Sequence, residues 1–93
     1  MNSKDAVKIA KDYVAEMYAD ESATNIGLEE VYFETDKNNW RVTIGFSRPW
    51  NTVKNALTTI SGESGARRTF KVLTIRDNDG QVLSLTSRET ANA

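Results

Sequence analysis

Trp40, Val42, Ile44 and Phe46 alternate with Arg41, Thr43 and Gly45, and this strict period of two marks a strand with one buried face. Ser47-Arg48-Pro49-Trp50 then ends it with the only proline in the chain, leaving an arginine and a second tryptophan beside the break. The remaining segments read as support for that strand or as an excursion from it.

Upstream, Ala6, Ile9, Ala10, Tyr13, Val14 and Met17 recur at steps of three and four, with Lys4, Lys8, Lys11, Asp12 and Glu16 between them. This is an amphipathic helix, capped by Asn2 or Ser3 and ending near Tyr18 or Ala19, where a polar stretch closes on Gly27. Leu28 to Thr35 reads as a strand with Val31 and Phe33 on one face, and Asp36 to Asn39 as the hairpin turn into the central strand. Downstream, Arg67 to Ile75 is a strand of mixed parity that a bulge near Val72 and Leu73 reconciles. Asp77-Asn78-Asp79-Gly80 suits a type I′ hairpin, Gln81 to Ser87 is the last strand, and Arg88 to Ala93 a frayed tail. The expected fold is α+β: one N-terminal helix packed on a four-stranded antiparallel meander.

A chain of 93 residues has room for one domain, so residues 1–93 are read as a single unit with a mobile excursion at about 48–66. Within the excursion, Val53, Leu57 and Ile60 form one face of a short helix in one reading; in another, Ala56 to Ile60 is extended. Gly62 to Ala66 is a breaker region.

Composition narrows function mainly by what it removes. The chain has no cysteine and no histidine, so thiol nucleophiles, disulfides, thiolate metal sites and imidazole bases are all excluded. A formal net charge of -1 gives no electrostatic case for nucleic acid or an anionic membrane. No apolar run approaches the roughly 20 residues of a membrane span, and no signal peptide is read at the N-terminus, so the expected location is the cytoplasm.

The short motifs fail on chemistry. Gly62-Glu63-Ser64-Gly65 lacks the second glycine of a nucleophile elbow, since Ala66 stands there, and has no histidine to serve as base. Asp77 to Gly80 aligns with a calcium loop only by placing Ile75 and Thr86 at ligand positions, so no metal or cofactor is expected. Glu30 and Glu34 share a strand face that excludes Glu29, which is the pattern of a solvated acidic surface rather than an acid/base pair.

One constellation stands out. If the second and third strands are neighbours, Arg48, Trp50, Lys54, Arg67 and Arg68 gather at one end of the sheet. Arginine and tryptophan are the residues that most often anchor interfaces.

The helix, the Trp40 to Phe46 strand and the stretch Phe70-Lys71-Val72-Leu73-Thr74-Ile75-Arg76-Asp77-Asn78-Asp79-Gly80-Gln81-Val82-Leu83 together resemble the PepSY domain and its cystatin-like relatives. In those a helix precedes a meander with a similar last hairpin. The resemblance implies an interaction or peptidase-inhibiting module without catalysis; the inhibitory Gln-x-Val-x-Gly motif of true cystatins is absent. The expected function is therefore a non-enzymatic interaction or regulatory module that meets a protein partner, a second copy of itself included, through the cationic end of the sheet. The alternative is a small-molecule or anion-binding domain using the same cations.

Overall fold

The computed structural model describes residues 1–49 and 68–88. Its elements are helix α1 (Ser3–Met17), a 3-10 turn (Ala19–Glu21) and strands β1 (Thr24–Glu34), β2 (Asn39–Ser47), β3 (Thr69–Arg76) and β4 (Val82–Ser87). The strands form an antiparallel sheet in the order β1-β2-β3-β4, with α1 packed on one face. This is the α+β meander that the sequence predicts.

The start of α1 follows from its first residues. Asn2 accepts the Asp5 backbone N–H at 2.9 Å, and the Asp5 carboxylate accepts the Asn2 N–H at 3.0 Å, a reciprocal capping box. Ala6, Ala10 and Val14, spaced by four, are fully buried against the sheet. Two of these three residues are alanine, which lets the helix sit close to the strands. Tyr18 closes the helix, and its ring packs on Phe46 with centroids 4.8 Å apart, tying the helix end to the end of β2.

The core lies where the alternation of β2 places it. Val42, Ile44 and Phe46 are fully buried on the helix side, joined by Leu73 and Ile75 of β3. Trp40 is half-buried, its ring 4.9 Å from Phe33 and its indole N–H donating to Asp77 at 2.9 Å.

Three local expectations are corrected. β1 begins at Thr24, earlier than Leu28, because a left-handed Asn25 and two register irregularities carry pairing through a polar stretch without alternation. β3 has no bulge against β2: its register is unbroken, with Leu73 and Ile75 toward the helix and Phe70 and Val72 on the opposite face. Phe70 has room there because its partner across the ladder is Gly45. The irregularity falls in β4 instead, where Leu83 is the extra residue between the pairs Thr74–Ser84 and Ile75–Val82. Finally, only Gly80 in the last hairpin has a positive φ, +73°, and its N–H donates to the Arg76 carbonyl at 2.8 Å. A type I′ turn needs positive φ at both central residues, so the connection is of another kind.

Candidate functional site

The expected cationic end of the sheet divides into two faces. Of its five residues, Trp50, Lys54 and Arg67 lie outside the described residues, while Arg48 and Arg68 are placed. Both stand at the end where β2 leaves and β3 enters, as the topology requires, but the sheet separates them.

Arg48 follows the parity of Phe46 and turns to the helix side. One guanidinium nitrogen donates to Glu21 at 2.6 Å, another to the Thr69 hydroxyl at 3.2 Å. The guanidinium carbon lies 5.3 Å from the Tyr18 ring centroid and 5.6 Å from that of Phe46. With its side chain only 17% exposed, Arg48 acts as a clamp holding the 3-10 turn to the sheet end.

Arg68 takes the other face. Its Nη2 donates to the Asn25 carbonyl at 2.8 Å and its Nη1 reaches Ser47 Oγ at 3.5 Å, so the guanidinium crosses β2 from β3 to β1. The crossing depends on Gly27 and Gly45, paired across β1 and β2. A Cβ on Gly45 would lie 3.2 Å from the Arg68 guanidinium and 2.9 Å from the Phe70 ring. Glycine at both positions opens the trough that the arginine and the phenylalanine fill.

A residue that the sequence pattern assigns to a frayed tail completes this surface. The Arg88 backbone N–H donates to the Phe70 carbonyl at 3.2 Å, and its guanidinium stacks over the Phe70 ring at 4.3 Å. No periodicity announces Arg88, because its position depends on the β3–β4 pairing. Phe70 thus carries an arginine from the next strand on its ring, with Arg68 at the neighbouring trough. Glu30 and Glu34 also fall on this face, Glu34 lying 3.9 Å from Arg41.

Beside this surface runs β4, Val82-Leu83-Ser84-Leu85-Thr86-Ser87, without a charge or a proline. Among the described residues it pairs on one side only. Since the Arg88 N–H points to β3, alternation turns the backbone groups of Thr86 and Ser84 toward β3 and those of Leu85 and Ser87 toward the open edge. Edge strands are usually blunted by charge, proline or a bulge; the one such device here is the irregularity at Leu83, at the far end from Arg88.

No family model, curated protein or solved structure matches this chain. Among the described residues no three acidic side chains gather as a metal site.

Proposed function

We propose that the chain is a non-catalytic interaction module that takes an extended, acidic segment of another protein as an added strand on β4. One observation carries the reading: an uncharged edge strand, with outward backbone groups at Leu85 and Ser87, ends at a guanidinium stacked on Phe70. Strand addition supplies affinity through main-chain hydrogen bonds, and side chains beside the edge set specificity. Arg88, with Arg68 further along the same face, provides charge complementary to carboxylates. The lack of histidine and cysteine fits a binding role. The resemblance to PepSY and cystatin-like modules points the same way. Relative to the sequence expectation, the proposed surface moves from Arg48, which is engaged as a clamp, to Arg68, Phe70, Arg88 and the β4 edge.

Selection of displayed random peptides of about ten residues, long enough to span a strand, tests this. The selected peptides are expected to be enriched in Asp and Glu. They should lose binding to Ser87→Pro, which removes an outward N–H and leaves the backbone hydrogen bonds to β3 in place, at the cost of the hydroxyl that accepts from Lys71 Nζ at 2.9 Å, and weaken by about tenfold on Arg88→Glu. Peptides that bind both variants as well as the parent chain contradict the reading. Enrichment of small anions at Arg68 and Arg88 with no peptide selected favours an anion-binding domain instead, and a dimer formed through β4 contradicts the acidic partner.

A further inference from the structure

A second surface lies on the opposite side of the molecule from Arg88 and owes nothing to the reading above. Between α1 and the outer strand β1 runs a groove of about 470 Å³. Its floor is apolar: Val7 from the helix, Leu28 and Val31 from the strand. Strict alternation would set Leu28 and Val31 on opposite faces of β1. The register irregularity between Leu28 and Glu30 brings both to the helix side, opposite Ile44 and Val42, and leaves Leu28 43% exposed.

The wall of the groove is cationic. Lys4, Lys8 and Lys11 stand at steps of four and three, so they share one stripe of α1. Asp12, the acid in the lining, is engaged by Lys8 at 2.9 Å. Lys4 and Lys11 have no acidic partner among the described residues. The chain as a whole is slightly acidic, so this stripe is a local concentration of positive charge above an apolar strip.

We infer that this groove binds an anionic amphipath of the alkyl-carboxylate class, the alkyl chain lying on Val7, Leu28 and Val31 and the carboxylate meeting Lys4 and Lys11. Three features select this occupant. The volume falls in the range of small-molecule sites, roughly 300 to 1,000 Å³. The floor offers three apolar side chains rather than the longer row of anchors that a docked helix from a partner needs. The unpaired charge on the wall is all of one sign, which favours an anion over a neutral or cationic amphipath.

The test uses dodecanoate below its micellar concentration, followed by backbone amide shifts of the full chain. Expected are saturable shifts centred on residues 4 to 11 and 28 to 31. The double substitution Lys4→Glu, Lys11→Glu, at one exposed and one half-buried position, should weaken binding at least about tenfold, and Leu28→Ser should weaken it severalfold. Dodecyltrimethylammonium, with the same chain and the opposite charge, should bind at least about tenfold less tightly than dodecanoate. Absence of saturable shifts in the groove, equal binding of the cationic amphipath, or dodecanoate affinity unchanged by the charge reversal overturns the inference. Shifts produced by an acidic amphipathic peptide but not by dodecanoate also overturn it, and assign the groove to a protein. The mapping on the unsubstituted chain decides the matter even if a variant fails to fold.

Discussion

At the scale of single residues, two side chains of one type have been given different work by strand parity. Arg48 joins the 3-10 turn, β3 and two aromatic rings, and is largely withdrawn from solvent. Arg48→Ala should therefore destabilise the fold by about 1 to 3 kcal/mol in urea unfolding, because a charge-assisted bond goes unmade and the Tyr18 and Phe46 rings lose the guanidinium packed on them. A loss below about 0.5 kcal/mol would show the clamp to be cosmetic. Gly45 is a second sensitive position, since any Cβ there runs into the Phe70 ring. Gly45→Ala should cost about 1 to 3 kcal/mol by overpacking, and much of that should be recovered when Phe70 is also reduced to leucine. Additive costs in the double variant would mean that backbone conformation, not the ring, demands the glycine.

At the scale of elements, legibility in the sequence tracked periodicity. The helix read well because Ala6, Ala10 and Val14 keep one spacing, and β2 because its alternation is unbroken. β1 was legible only from Leu28 because its first residues owe their strand geometry to pairing with β2 rather than to their own pattern. The mixed parity of β3 suggests a bulge, whereas the strand simply has apolar residues on both faces, Leu73 and Ile75 buried by α1 and, on the other face, Phe70 opposite Gly45 and Val72 opposite Thr43. Of the candidate site, the position of Arg48 and Arg68 at one sheet end was legible, their separation by the sheet was not, and Arg88 gave no local signal at all. The last hairpin carries its own pH dependence. The Arg76 guanidinium bonded to Asp79, helped by the Gln81 N–H, holds the Asp79 carboxyl below the usual carboxylate range. A depressed carboxylate stabilises the fold above its unfolded pKa and loses that contribution as pH falls through the folded one. Parent and Asp79→Asn chains should therefore differ in Tm near neutrality and converge on acidification below the ordinary aspartate range. A gap that persists in acid would assign the effect to turn geometry.

At the scale of the whole molecule, helix α1 packs on one face of the sheet, and the described residues give two further surfaces distinct chemistry. One is the edge of β4 with its flanking arginines, offered to an extended acidic chain; the other is the lysine-walled groove beside α1. They lie at opposite edges of the sheet, so ligands at the two sites should bind independently, and titrating one in the presence of saturating amounts of the other should change neither Kd by more than about twofold. The central claim concerns β4, and residue-resolved amide hydrogen exchange tests it most directly. In the free chain the Leu85 and Ser87 amides should exchange at least about tenfold faster than those of Ser84 and Thr86. A saturating acidic peptide from the selection should slow Leu85 and Ser87 by at least about tenfold while leaving the inner pair little changed. Leu85 and Ser87 already as slow as Thr86 in the free chain, or protection appearing elsewhere while they stay fast, would contradict strand addition at this edge.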